Sequence, residues 1–316
     1  MTARHSALAL LIAVVWGVNF VVIHAGLQHF PPLLFSAMRF TFVAIPAVFL
    51  VGSPRVPWRW VLAVGASLGV GSFGLLFVAI NEGMPAGLSS LVLQTQVIFT
   101  VAFAGVALGE RPRRAQVAGA SIALVGLAII ATDRAGSAPV LPFLLVIAAA
   151  AMWGVSNVCT RVAQPPDGLA LMVWASLVAP LPLLGLSFAF EGQQQIGDAL
   201  RGIDLGGIAA LAYIVGPSTL FGFAAWSGLL RRYPTAAVAP FTLLVPIFGI
   251  AAAALTLGER PSAAELIGAG IVIAGLLYGL RRPRSQRSYG KVAPAAASWG
   301  TSIPTSGSAA TSTRPS

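Results

Sequence analysis

Apolar residues in this chain come in long, nearly unbroken runs separated by short polar segments, without the alternation of a half-buried strand or the one-sided stripe of a surface helix. A helix that crosses a bilayer core needs about 20 mostly apolar residues. Ten runs meet that length: 6–26, 33–52, 60–80, 86–108, 115–132, 140–161, 169–190, 205–229, 235–257 and 263–280. The first, with Arg4 ahead of it, has the charge pattern of a secretory signal. It lacks a small-x-small cleavage site and leads into nine further runs, so it reads as a span. The pattern predicts an all-α integral membrane protein of ten transmembrane helices.

Composition agrees. The chain is 57% hydrophobic and 9% charged, whereas soluble domains carry roughly 25% charged residues. The formal net charge of +10 is not a nucleic-acid footprint, because the basic residues fall in short clusters between apolar runs instead of one stripe interleaved with aromatics. They act as topology signals. A cytoplasmic N-terminus places 15 Lys and Arg residues inside, Arg111, Arg161 and Arg231 among them, and leaves Arg134, Arg201 and Arg260 outside. Both termini are then cytoplasmic, in a bacterial-type inner (plasma) membrane. Residues 282–316, rich in Ser, Thr, Pro, Ala and Gly, are expected to be a disordered cytoplasmic tail. The basic cluster Arg281, Arg282, Arg284 and Arg287 ahead of it is a stop-transfer flank or a contact for anionic headgroups. The single cysteine, Cys159, lies within a span, so there is no intramolecular disulfide framework and no cysteine cluster for a metal.

The sequence Leu-Gly-Glu-Arg-Pro occurs at 108–112 and again at 257–261, 149 residues apart. At the same offset Pro85 falls on Pro234, Gly119 on Gly268 and Gly126 on Gly275. Nearer the front of each half, Ala-Val-Val-Trp-Gly-Val at 13–18 faces Ala-Ala-Met-Trp-Gly-Val at 150–155, pairing Trp16 with Trp153. The chain divides into two five-span units, 6–132 and 140–281. Five spans separate the two Leu-Gly-Glu-Arg-Pro copies, an odd number, so the copies emerge on opposite faces and the repeats are inverted. Inverted repeats give a transporter two similar half-structures that open in turn to each side. The motif itself reads as turn chemistry, with Gly ending one helix and Pro and Glu suiting the start of the next; a gating role for Glu110 or Glu259 is the second reading.

Two five-span units, each with Trp-Gly in its first span and Gly-Glu-Arg-Pro after its fourth, resemble the EamA-type branch of the drug/metabolite transporter superfamily. The stretch Leu91 to Pro112, together with Trp153 to Asn157, is similar to the bacterial exporters of O-acetylserine and cysteine. The resemblance covers about residues 6–282. It implies ten helices around a central cavity and export of small metabolites such as amino acids and their derivatives.

Polar side chains inside spans are the candidates for a substrate path, since in lipid they must find partners or line a wet cavity. Arg39, seven residues into the second span, either pairs with a substrate carboxylate or snorkels to headgroups and helix carbonyls. Trp16 with Asn19, and Trp153 with Asn157, share helix faces in matching places and suit a small zwitterion; helix-to-helix bonding is the alternative. Gln94 and Gln96 lie about 200 degrees apart on an α-helix, so one, Gln94, is expected to face the cavity. Tyr213 and the Gly216 to Thr219 break in the eighth span correspond to the glycine-rich Gly69 to Gly74 of the third, the sort of matched interruption that marks a transport site or a plain kink. His24, near an outer helix end, is an interface residue or a titrating group. Gly69 to Gly74 also spells a dinucleotide fingerprint, and Gly65 to Gly69 a nucleophile elbow. Both sit in one apolar helix without the strand and turn that either chemistry requires.

Nothing here builds an enzyme: there is no mid-span Asp or Glu, one Cys and three scattered His. No cofactor or metal is implied. A sensor or scaffold has no need of inverted repeats. The expected partners are the bilayer and a small zwitterionic substrate, with proton or counter-substrate coupling left open. Other small metabolites or drugs of the same superfamily are the alternative cargo.

Overall fold

The computed structural model describes residues 1–135 and 140–280, and among them it contains helices and turns with no strand. The tail from 282 to 316 and its basic cluster lie outside the described residues. In chain order the helical stretches are α1 (Ala3–Gly26), α2 (Pro32–Val48), α3 (Trp58–Asn81), α4 (Ala86–Leu108), α5 (Arg114–Ala135), α6 (Val140–Ala163), α7 (Gly168–Phe190), α8 (Gly192–Arg201), α9 (Leu205–Arg232), α10 (Ala239–Thr256) and α11 (Ala263–Leu280). Among the described residues, eight helices are long and apolar enough to cross a membrane. Two shorter apolar ones, at 32–48 and 263–279, occupy the remaining expected spans. A 17-residue helix reaches about 26 Å at 1.5 Å per residue, just under the hydrocarbon thickness of about 30 Å.

Helix ends follow local chemistry. Asp167 accepts from Leu169 N at 2.9 Å to start α7, and Asp204 accepts from Gly207 N at 2.8 Å to start α9, the side-chain caps that free N–H groups at a helix start require. Gly109 and Gly258 both adopt left-handed backbone, φ +65° and +67°, where a Cβ is strained. The glycine of Leu-Gly-Glu-Arg-Pro is thus a helix stop at both copies.

Long helices are interrupted in corresponding places. Within α3 the segment Gly65–Gly74 is π-helical, and within α9 the segment Ile214–Phe221 is too, starting 149 residues later. A 3-10 turn spans Leu93–Thr95 in α4, and another, Ala239–Leu244, opens α10. The first helices, Ala3–Gly26 and Val140–Ala163, differ by 137 at both ends. The offset lengthens across α8, a ten-residue helix where the sequence pattern leads one to expect only a connector. Its face carries Ile196, which is buried, among polar residues. It is too short and polar to register as a span.

Small residues set the closest helix approaches. A Cβ built on Gly17 of α1 meets Phe248 Cβ at 2.6 Å and Gly249 N at 2.8 Å in α10; one on Gly154 of α6 meets Phe99 Cβ at 2.7 Å and Thr100 N at 3.0 Å in α4. Phe99 and Phe248 are themselves 149 apart. Gly119 and Gly126 of α5 abut Gly275 and Gly268 of α11, their added Cβ atoms 2.4 and 2.6 Å from the facing carbonyl oxygens. In lipid, where apolar burial supplies no drive between helices, such backbone proximity is what packs them.

Candidate functional site

Between these helices lies a cavity of about 270 Å³ whose lining comes from α1, α2, α3, α4, α6, α9 and α10. Of the seven candidate substrate residues, Trp16, Asn19, Arg39, Gln94, Trp153 and Asn157 all border it. Tyr213 does not: its hydroxyl donates to Val15 O at 3.0 Å, bracing α9 against α1. His24 is also absent from the lining.

Arg39 is 1% exposed, so it is not snorkelling. Its Nη2 donates to Thr219 Oγ1 at 3.1 Å, and Thr219 in turn donates to Ile214 O at 2.7 Å inside the π-helical stretch of α9. The Phe73 ring covers the guanidinium, 3.9 Å from Cζ to centroid, with Phe40 farther off at 5.5 Å. Among the described residues, Nε and Nη1 have no acceptor and no Asp or Glu borders the cavity. A mid-span cation costs about 2.5–3.5 kcal/mol on insertion scales; a desolvated cation–π contact returns about 2 kcal/mol. The balance leaves a cation with donors to spare.

The amides divide into committed and free. Asn157 Nδ2 donates to Gln96 Oε1 at 2.6 Å and to Thr100 Oγ1 at 3.0 Å, and Gln94 Nε2 donates to Thr242 O at 2.6 Å. Asn19 is buried, and its Oδ1 has no donor. Expecting only Gln94 to face the cavity proves too narrow, since Gln96 borders it as well. The cause is the 3-10 turn at Leu93–Thr95, which winds about 120 degrees per residue and so brings the two side chains closer in azimuth than an α-helix does. Trp16 Nε1 donates to Ser218 O at 3.0 Å, so the matched interruption in α9 also supplies a hydrogen-bond acceptor.

Sequence reasoning passed over Phe73, Phe223 and Trp226, which join Trp16 and Trp153 in an aromatic wall. Phe73 lies 5.4 Å from Trp153, and Trp16 lies 5.6 Å from Phe223 and 5.4 Å from Trp226, centroid to centroid. An aromatic residue in an apolar span carries no distinguishing signal. Thr219, the partner of Arg39, falls within the flagged break.

These commitments predict a contrast. Asn157→Ala leaves Gln96 Oε1 with only the long 3.5 Å contact from Thr100 Oγ1 and is expected to lower stability by about 0.6–1.7 kcal/mol. Asn19→Ala removes no acceptor role that the protein itself uses, and is expected to leave the thermal midpoint within a degree or two while weakening ligand binding. Thermal unfolding in detergent with and without amino-acid ligand reads both.

The two Leu-Gly-Glu-Arg-Pro copies are engaged differently. Glu259 accepts from Ala86 N at 2.7 Å and Gly87 N at 3.1 Å, capping α4, whose own first residues offer no side-chain cap. Glu191 does the same for Leu34 N, at 3.1 Å, at the start of α2. Glu110 instead pairs with the exposed Arg161 at 2.8 Å. A second cavity of about 270 Å³ beside Glu259, bordered by Pro85, Asp133, Arg260 and Glu265, belongs to this loop junction.

The EamA-like transporter family matches the chain over residues 5–132 and again over 140–280. A Salmonella typhimurium protein named a probable amino-acid metabolite efflux pump is 41% identical over 299 residues, covering 92% of this chain and 100% of its own length. An Escherichia coli protein of the same name is 39% identical, covering 89% and 97%. A Streptantibioticus cattleyicolor protein named a probable terminal-alkyne amino-acid exporter is 28% identical, covering 88% and 93%. A chain of known crystal structure superposes with a TM-score of 0.60 at 23% identity, covering 88% of this chain and 96% of that one, a likeness of fold.

Proposed function

The chain belongs to the EamA-like transporter family, a multi-pass inner-membrane transporter and not an enzyme, and from that premise we propose that it exports small zwitterionic amino-acid metabolites by alternating access through the cavity around Arg39. One observation carries the reading: the same cavity borders a buried cation with unused donors and a buried amide oxygen with no donor. A carboxylate completes Arg39 through charge-assisted bonds. An ammonium completes Asn19 Oδ1 and lies among aromatic faces that attract cations. The aromatic wall suits a modest apolar or acylated side chain, in keeping with O-acetylserine or cysteine and with the names of the relatives at 41% and 39% identity.

Alternating access rests on two inverted five-helix units, 6–132 and 140–281, making ten membrane crossings. The matched π-helical stretches and the reciprocal contacts of Gly17 with Phe248 and Gly154 with Phe99 support that reading. So do the polar contacts between connectors. His29–Asp204, Glu191–Leu34, Glu259–Ala86 and Ser262–Asp133 each join segments that ten alternating crossings put outside. Glu110–Arg161, Arg231–Asp167 and His5–Tyr233 each join segments put inside, beside cytoplasmic termini. No contact of this set joins one side to the other. The unequal engagement of Glu259 and Glu110 fits a carrier closed on one side.

The test is transport by the purified full chain in proteoliposomes, with O-acetylserine, cysteine and neutral amino acids set against their decarboxylated amines. Flux of the zwitterions and none of the amines supports the proposal. Equal flux of both, or of neither, contradicts it.

A further inference from the structure

The cation in the cavity is shielded by a ring, and the ring comes from the irregular part of a helix. Phe73 sits 3.9 Å over Arg39, is 4% exposed, borders the cavity and belongs to the π-helical segment Gly65–Gly74. Arg39 Nε and Nη1 have no partner and almost no accessible surface, so a ligand carboxylate reaches them only after something moves. Cation and ring also occur together and are absent together. At the offset of the first helices Arg39 falls on Ser176, and at the later offset Phe73 falls on Gly222, where an added Cβ meets Trp16 Nε1 at 2.6 Å. One half carries the pair and the other half carries neither.

We propose that Phe73 is a positioning residue that stands in for the substrate carboxylate: it stacks on Arg39 in the empty carrier and is displaced when substrate binds. This rests on the carboxylate reading of Arg39 given above. The physical need is shielding. An uncompensated guanidinium is poorly tolerated at mid-membrane, and the negative face of the ring offsets part of its charge without occupying its hydrogen-bond donors. The π-helical backbone, with one residue more per closed turn than an α-helix, and the flanking Gly71 and Gly74 give Phe73 a segment able to shift register. Ring and carboxylate compete for one cation, so the ring sets substrate affinity and permits the unloaded carrier to reorient.

The competition predicts effects opposite to those of ordinary packing loss. Phe73→Leu is expected to bind a zwitterionic amino acid about tenfold more tightly than the wild type, while net efflux from proteoliposomes slows several-fold and amino-acid exchange, which needs no empty return, is retained. Phe73→Tyr, which keeps the ring, is expected to restore wild-type affinity and net efflux. Binding of O-acetylserine by purified full-length protein, alongside net efflux and exchange for the three proteins, reads all of this. Weaker binding by Phe73→Leu with exchange and efflux lowered together overturns the proposal and leaves the carboxylate site standing. If Phe73→Leu does not fold, Phe73→Trp decides it in the same assays, with Phe73→Tyr as the near-wild-type reference: the stronger cation–π partner must lower affinity, and an unchanged or rising affinity in Phe73→Trp overturns the proposal. If wild type binds the decarboxylated amine as well as the amino acid, it is the carboxylate reading itself that fails.

Discussion

Arg39→Met is expected to abolish export while the protein still inserts, folds and purifies. The magnitudes decide this. Removing the cation relieves an insertion cost of about 2.5–3.5 kcal/mol and forfeits the stack on Phe73, about 2 kcal/mol, together with the charge-assisted hydrogen bond to Thr219, about 1.5 kcal/mol. These nearly cancel, and Met fills most of the volume. For a ligand carboxylate nothing cancels, because among the described residues the cavity borders no other cation. A charge-assisted pair contributes about 1.5–3 kcal/mol, so affinity for a zwitterion should fall roughly ten- to hundredfold, taking flux at micromolar substrate below detection. Binding and efflux assays on the variant, with size-exclusion profile and thermal midpoint as the folding controls, check it. Retained flux would remove Arg39 from the site.

Replacing Gly17 or Gly154 with Leu is expected to prevent recovery of folded protein, to less than about a tenth of the wild-type yield. Each glycine lies where two helices meet backbone to side-chain stem, and the first atom added lands 2.6–2.8 Å from Phe248 and Gly249 in one case and 2.7–3.0 Å from Phe99 and Thr100 in the other. The crowded atoms are Cβ and backbone, which no rotamer change can move, so the helices must separate; overpacking of even yielding cores costs about 1–3 kcal/mol. Gly185 and Gly270, with nothing within 4 Å of an added Cβ, serve as controls, and Leu there should leave yield unchanged. Fluorescence-detected chromatography of the four variants separates the outcomes. Because α1 meets α10 and α6 meets α4 through equivalent contacts, equal sensitivity at 17 and 154 is a consequence of the repeat.

The spans are legible in the sequence because an apolar run of bilayer length has little use outside lipid, and some ends follow from caps such as Asp167, Asp204 and Gly109. The helix at Gly192–Arg201 is not, because ten polar-rich residues with one buried Ile register neither as a span nor as a long periodic pattern. Trp16, Asn19, Arg39, Gln94, Trp153 and Asn157 stand out as polar or amphipathic groups in spans, and they converge on one cavity. What their types do not tell is commitment. Asn157 and Gln94 hold neighbouring helices through their amide nitrogens while the side-chain oxygen of Asn19 has no donor among the described residues, and Tyr213 braces α1 instead of joining them. Gln96 is misplaced when 100 degrees per residue is assumed through a segment wound more tightly. Phe73 is invisible for a different reason. Its importance lies in what it covers, and one Phe among 17 carries no mark of that.

The central claim is that two halves threaded through the membrane in opposite senses enclose the polar chamber. Arg111 and Arg260, equivalent positions in the two Leu-Gly-Glu-Arg-Pro copies, are both exposed and test it directly. With Cys159 replaced by Ser, single cysteines at Arg111→Cys and Arg260→Cys are labelled with a membrane-impermeant maleimide applied to intact cells and to inverted vesicles. The account predicts that position 260 reacts in cells and position 111 only in inverted vesicles. Reaction of both from the same side would contradict it.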